Sequence, residues 1–321
     1  MGNPKQESTS LIMCVTPLQM LIAQRIIDLN SDRNFDLLVM VLNDNEKYKY
    51  YYDGLKKKCL SSLYYISKSG VGGFFDFIRK LKTNNLNKNY KELYLASIDS
   101  RHFQYMVSKS FLASVYTFDD GTANIIPSSL YYSNTQPPRL KQYIWRLLGV
   151  KSYMEDIKAR SQLHYTLYKN VPNIIKNTKY ISLLPQIKSD CSGENKIVKF
   201  YLGQPLTEID EKFNHNFVES KLEKLKVDYY YPHPREESYP NGEFKIIESP
   251  LIFEDFILQY LMENPKNNIE VYSFISSALL NISCVSQVSL IYIKDIDLFE
   301  KYEEFYFFAK TNFNIPCIDL E

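Results

Sequence analysis

The sequence predicts an α/β protein of two Rossmann-like domains, each built on a mostly parallel sheet. Three observations carry that expectation. Short apolar runs of strand length alternate with longer segments of helical period. The alternation fades in mid-chain and resumes after a polar stretch. And 321 residues are many for a single core.

"LIMCV" (11–15) is a strand run, followed by "PLQMLIAQRIIDL", where Pro17 suits a first helical turn and apolar residues recur at 18, 21, 22, 26 and 29. "FDLLVMVL" (35–42) is a second strand and "EKYKYYYDGLKKKCL" a helix. "SLYYI", "KELYLAS" and "SVYTF" continue as strands, with helical segments near 74–82 and 101–112. The pattern blurs over 122–195, with a helix around 140–149 and the polar "QIKSDCSGENK" as an inter-domain linker. It resumes with "KIVKFYLG" (196–203), a helix near 211–226, "VDYYY", "FKIIE" (244–248) and a helix over 251–262. "IEVYSF" (269–274), a short helix from Ser276, "SLIYI" and a closing helix over 297–311 complete the order. The expected organisation is a disordered polar segment 1–10, an N-terminal domain 11–186 and a C-terminal domain 196–321.

Composition excludes more than it assigns. A net charge of +1 gives no global field to attract nucleic acid. Lys56, Lys57 and Lys58 read as a solvated helix face. Five scattered cysteines, with no CxxC pair, fit reduced thiols in a cytoplasmic setting rather than disulfides or a zinc site. There is neither a signal peptide nor an eighteen-residue apolar run, so no membrane span is expected. Peripheral attachment to the inner face of a cell membrane, and assembly as a homodimer, stay open. The excess of 27 Tyr and 19 Phe goes with abundant Asn, Lys and Ile and carries no separate function.

Open α/β sheets bind ligands at the carboxyl ends of their strands, so the loops there are the places to look. No GxGxxG, P-loop or HExxH occurs in them. "TFDDGTAN" places Asp119 and Asp120 before Gly121. One acid could orient the loop while the other takes a proton from a substrate hydroxyl, or the tripeptide is an Asp-Gly turn with a capping aspartate. The two carboxylates, adjacent at a strand end, are expected to point apart. "SFISSALL" offers Ser276 and Ser277 before an apolar run, as helix caps or as hydroxyls added to an anion site. In "YYPHPRE", Pro232 and Pro234 hold His233 in extended geometry at a strand end. His102, His164 and His215 carry no such signal, and of the three His164, in "HYT", stands out as more than a surface residue.

Eight segments occur together and in order: "LIMCVTPLQMLIAQRII", "ELYLAS", "TFDDGTANII", "HYTLYK", "LGQP", "PHPR", "SPLIFEDFI" and "VYSFISSALL". In this the chain, from Leu11 on, resembles the bacterial lipooligosaccharide sialyltransferases of glycosyltransferase family fifty-two. The resemblance implies a GT-B fold with two Rossmann-like domains facing across a cleft. It implies CMP-sialic acid as donor, a terminal sugar of a surface glycan (lipooligosaccharide or capsule) as acceptor, and inverting transfer with no metal and no cofactor. By resemblance, the HP motif falls on His233 and Pro234, the acid-acid-Gly motif on Asp119, Asp120 and Gly121, and the phosphate loop on Ser276 and Ser277. Glu254 falls where the ribose of CMP is held, and Arg235 and Gly203 lie in the same donor-side loops. "TPLQ" brings Thr16 and Gln19 towards the sialic acid.

The resemblance also points to an acid after "LGQP", where both Glu208 and Asp210 qualify. For the general base, Asp120 and Asp119 rank ahead of Glu208 and Asp210. His233 is expected to donate to the departing phosphate oxygen. Relatives can carry an N-terminal membrane anchor, which the polar start of this chain does not resemble. A different sugar nucleotide, or a non-catalytic glycan-assembly protein on the same fold, are the competing readings.

Overall fold

The computed structural model describes residues 9–42, 44–133, 138–183, 196–236 and 238–320. The chain divides into two compact units, Met1–Leu183 and Leu184–Glu321. The expected linker lies outside the described residues except for Lys196.

In the first unit, β1 (Thr9–Cys14) and β2 (Asn34–Val41) are continuous apolar runs buried on both faces, as a covered parallel sheet requires. Thr9 and Ser10, expected in the disordered start, instead pair with Asn34 and Phe35 and open the first strand. Between the two strands runs α1 (Pro17–Leu29), with Pro17 in its first turn and Thr16 at its N-cap accepting from the Gln19 amide. Next come α2 (Glu46–Leu55) and a 3-10 turn at Lys56–Lys58, all three lysines exposed. Then follow β3 (Ser61–Ile66), α3 (Gly70–Thr83), β4 (Glu92–Leu95), α4 (Arg101–Lys109) and β5 (Ser114–Phe118). Helix α3 starts earlier than its apolar period suggests, because Gly73 lets the backbone close on Lys68: a Cβ there would stand 2.3 Å from the Lys68 carbonyl oxygen.

The region that blurs in the sequence holds α5 (Arg139–Leu147), α6 (Met154–Arg160), β6 (Ser161–Thr166) and β7 (Thr178–Tyr180). The two strands escape sequence reading because β6 is half polar and β7 is a three-residue exposed edge. The sheet order is β3-β2-β1-β4-β5-β6-β7, every pair parallel.

The second unit contains β8 (Ile197–Leu202), α7 (His215–Leu225), β9 (Tyr229–Tyr231), β10 (Lys245–Ile246), α8 (Phe253–Glu263) and β11 (Asn268–Ser273). After these come α9 (Ala278–Asn281), β12 (Val288–Lys294), α10 (Ile296–Lys301), α11 (Glu303–Phe313) and β13 (Cys317–Asp319). The expected closing helix is two helices that meet at Tyr302, followed by a strand. Asn314 in the left-handed region ends α11, and the Pro316 carbonyl accepts from the Tyr292 amide to bring β13 onto the sheet. The order is β10-β9-β8-β11-β12-β13, again wholly parallel.

Much of the aromatic excess sits on these sheets. Tyr94 stacks on Tyr116 of the next strand at 4.7 Å between ring centres, and Phe200 on Tyr229 at 4.9 Å. Among the described residues no helix is long and apolar enough to cross a membrane.

Candidate active site

Each sheet reverses its winding direction once, between β1 and β4 in the first unit and between β8 and β11 in the second. At such a point the loops leaving two neighbouring strands diverge and open a crevice. Thr16 and Asp120 lie at the first of these points, and the strand-end loops of the second unit carry most of the other residues singled out in the sequence.

In the first unit the crevice is a cavity of about 470 Å³ lined by Val15, Thr16, Ser97, Asp99, Asp120 and Trp145, among others. Gln19 does not reach it as a ligand contact. Its side chain is fully buried: Oε1 accepts from the Val15 amide (2.6 Å), and Nε2 donates to Ser97 Oγ (3.0 Å) and to Asp120 Oδ1. Gln19 is a brace for Asp120. The other carboxylate oxygen of Asp120 accepts from Ser97 Oγ (3.0 Å) and the Tyr131 hydroxyl (2.5 Å), which also stands 3.1 Å from Asp99 Oδ1. Burial pushes the Asp120 carboxyl above the usual range, the three hydrogen bonds pull against it, and Asp99 adds a further push upward. Gly121, at φ +54°, turns the chain into a 3-10 turn whose Asn124 accepts from the Asp120 amide at 2.6 Å.

Asp119 points the other way and is wholly enclosed. His164 Nε2 lies 2.8 Å from its Oδ1, while Thr166 Oγ1 (2.9 Å) and the Leu167 amide (2.7 Å) donate to Oδ2. His164 is itself held by Thr117 Oγ1 at 2.8 Å. Asp119 therefore fastens β5 to β6, with both carboxylate oxygens turned into the protein. His164 belongs to that buried network.

The second unit gathers its candidates around one turn. His233 is half-buried, its amide donates to Glu236 Oε2 (2.6 Å), and its carbonyl accepts from the Glu236 amide (3.0 Å). The ring Nδ1 accepts from the Arg235 amide at 3.2 Å. An accepting Nδ1 carries no hydrogen, so in the neutral ring Nε2 bears it. The Arg235 guanidinium reaches Glu208 Oε2, so one residue touches both the histidine and the acid after "LGQP". Asp210 is exposed and accepts from the Lys212 amide. Pro234 is exposed and shapes the turn. A cavity of about 250 Å³ is lined by Gln204, Glu208, His215, Tyr230, Arg235 and Glu236, among others.

Glu236 and Gln204 are bracing residues that the sequence reading did not single out. Glu236 accepts from the Tyr230 hydroxyl (2.7 Å) as well as the His233 amide, and burial raises its carboxyl. Gly203 makes room for it: a Cβ there would stand 2.4 Å from Glu236 Oε2. Gly203 thus serves this close approach. Gln204 Oε1 accepts from Ser273 Oγ (2.9 Å) and the amides of Phe274 (3.1 Å) and Ile275 (2.9 Å), fixing the β8 loop to the β11 loop. The only available signal was position, since Glu236 follows His233 by three and Gln204 lies two residues past the end of β8.

The serine loop differs from the expected helix N-terminus. Helix α9 has four residues, too short to carry much dipole. Ser276 Oγ accepts from the Ala278 amide at 3.3 Å, a local cap, whereas Ser277 is exposed and makes no capping bond. Glu254, buried in the first turn of α8, accepts from Asn281 Nδ2 at 2.7 Å, which joins α8 to the serine loop. Among the described residues no three His, Cys, Asp or Glu side chains gather as a metal site would need.

The description "Glycosyltransferase family 52" matches residues 34–298. The chain is 32% identical over 273 residues to the CMP-N-acetylneuraminate:β-galactoside α-2,3-sialyltransferase of Pasteurella multocida, covering 85% of this chain and 87% of that protein. It is 32% identical to an N-acetyllactosaminide α-2,3-sialyltransferase of Haemophilus influenzae (89% and 92% covered) and 30% identical to one of Neisseria meningitidis (94% and 82%). Among solved structures it resembles the glycotransferase of kitacinnamycin, with a TM-score of 0.53 at 9% identity over 98% of this chain and 87% of that one. The glycosyltransferase SnogD of Streptomyces nogalater gives a TM-score of 0.50 at 9% identity, with 98% and 87% covered. Two wholly parallel sheets in two units are the GT-B arrangement, and the chain belongs to glycosyltransferase family 52.

Proposed function

We propose that this enzyme transfers sialic acid from CMP-sialic acid to the galactose end of a bacterial surface glycan, inverting the anomeric centre without a metal. The "PHPRE" turn carries this reading. It holds His233 from both sides, with Glu236 on its amide and the Arg235 amide on Nδ1, so that Nε2–H is the ring's donor. A donor fixed before the reaction is what a departing phosphate oxygen needs as negative charge builds on it. A monophosphate has less charge to offset than a diphosphate, and protein donors suffice. Three relatives, all named as α-2,3-sialyltransferases, supply the substrate class.

In the proposed complex Glu254 accepts from the ribose hydroxyls, and Ser277 donates to the phosphate with its uncommitted hydroxyl. The acceptor hydroxyl loses its proton to Glu208, with Asp210 as the alternative. This order reverses the ranking from sequence. Three hydrogen bonds, from Gln19, Ser97 and Tyr131, hold the half-buried Asp120 carboxylate, whereas Glu208 is exposed beside Arg235 in the same unit as His233. Asp120 instead shapes the acceptor-side crevice with Thr16.

Turnover of CMP-sialic acid with a β-galactoside acceptor tests the reading, alongside thermal shift with CMP, UDP and GDP. CMP alone is expected to raise the melting midpoint. Stabilisation by UDP or GDP in its place would assign a different donor, and absence of turnover with intact CMP binding would favour the non-catalytic alternative.

A further inference from the structure

Helix α5, "RLKQYIWRL", buries none of its nine residues. Its large apolar side chains follow the spacing that normally faces a core, yet Leu140 is 72% exposed, Tyr143 62%, Ile144 41% and Leu147 71%. Spacings of three, one and three residues put all four on one stripe. Arg139, Lys141, Arg146 and Lys151 accompany the stripe, and no Asp or Glu occurs between 139 and 151. The helix is fastened from beneath. Trp145 meets Phe74 of α3 edge-on at 5.1 Å between ring centres, and the Tyr153 hydroxyl donates to the Gln142 carbonyl at 3.2 Å. On α3, Val71 and Phe75, three residues before and one after the buried Phe74, are exposed as well.

An apolar stripe beside cations without acids is the composition of a helix that lies in a lipid interface. We propose that α5 docks on an anionic bilayer surface, its apolar stripe among the acyl chains and its cations on the phosphates. Charge complementarity selects this occupant. A second copy meeting the same face isologously would oppose four cations with four more. Trp145 and Phe74 also line the cavity that holds Asp120 and Thr16, so docking would bring that crevice to the membrane surface. This last consequence, access for a glycan carried on a lipid, rests on the proposed transfer reaction, while the docking does not.

Trp145 is the single tryptophan of the chain and reports from the helix itself. The full chain is mixed with vesicles of phosphatidylcholine alone or with added phosphatidylglycerol, with no donor or acceptor present. The expected result is co-sedimentation and a blue shift of Trp145 emission with the anionic vesicles only, weakened by salt. Arg139→Gln/Arg146→Gln should lower partitioning about thirtyfold, since two surface cations are removed. Leu140→Ser/Leu147→Ser should abolish the emission shift while turnover on a soluble galactoside stays at wild type. No binding by the wild type, equal binding to both vesicle types, or turnover lost in the leucine variant would overturn the proposal. So would a lipid-free dimer that the leucine variant dissolves, because a protein then covers this face. Failure of sialyl transfer with vesicle binding intact would overturn the reaction and leave the docking standing.

Discussion

His233 shows how much one residue's role depends on its immediate neighbours. Its proline-flanked backbone fixes where the ring starts, but the Arg235 amide fixes which ring nitrogen carries the hydrogen. His233→Ala is expected to cut turnover by about 10²–10³ while the melting midpoint and CMP affinity hold, because the change removes a donor to developing charge and little buried apolar surface. A variant that turns over normally would remove His233 from the mechanism. The base assignment has its own test. Glu208→Gln should cost at least ~10²-fold in turnover with CMP binding unchanged. Asp120→Asn keeps a similar shape and should cost less. If Asp120→Asn alone abolishes turnover, the sequence-based ranking was right and the hydrogen-bond occupancy misleads.

His102 illustrates a different effect at the same scale. Burial among Tyr65, Phe74 and Phe77 pushes its pKa down to about 4, and its Nε2 has no hydrogen-bond partner among the described residues. Between about pH 6.5 and 4 the unfolded chain binds a proton at this position that the folded chain refuses, so stability falls as pH drops through that window. Melting curves over this range should lose part of their slope in His102→Phe. An unchanged slope would place the acid sensitivity elsewhere.

At the scale of elements, the donor-side loops act as one braced unit. Gln204 ties the β8 loop to the β11 loop, and Glu236 ties the β9 turn to the space that Gly203 leaves open. Gln204→Ala leaves the Phe274 and Ile275 amides without their shared acceptor, while Ser273 keeps the Leu202 carbonyl, and is expected to weaken CMP binding more than it changes the chemical step. Ser277→Ala should also weaken CMP binding, by loss of a single contact. Isothermal titration of both variants compares the two roles. Ser277→Ala with wild-type affinity would make that serine a bystander, and Gln204→Ala with wild-type affinity would show that the loops hold position without their bridge.

At the scale of the whole molecule, the same design occurs twice: a wholly parallel sheet that reverses winding once. A donor site made of protein hydrogen-bond donors predicts that EDTA leaves turnover unchanged. Activity abolished by EDTA and restored by Mg²⁺ or Mn²⁺ would contradict the metal-free mechanism.

What the sequence by itself determined is the alternation of elements, because strand and helix periods are local. It also placed the strand-end loops, because prolines, glycines and adjacent acids mark them, and it showed the family through eight ordered segments. It failed on β6, β7 and β13, whose short or half-polar strands form only where an existing sheet edge offers backbone partners. Only the tertiary structure decided which acids are spent on scaffolding. Asp119 and Asp120 are neighbours with the same chemistry, yet one closes on His164 and the other on Gln19, a residue 101 positions away. Lone pairs are occupied by whatever the fold brings within reach, and no periodicity or local motif encodes that.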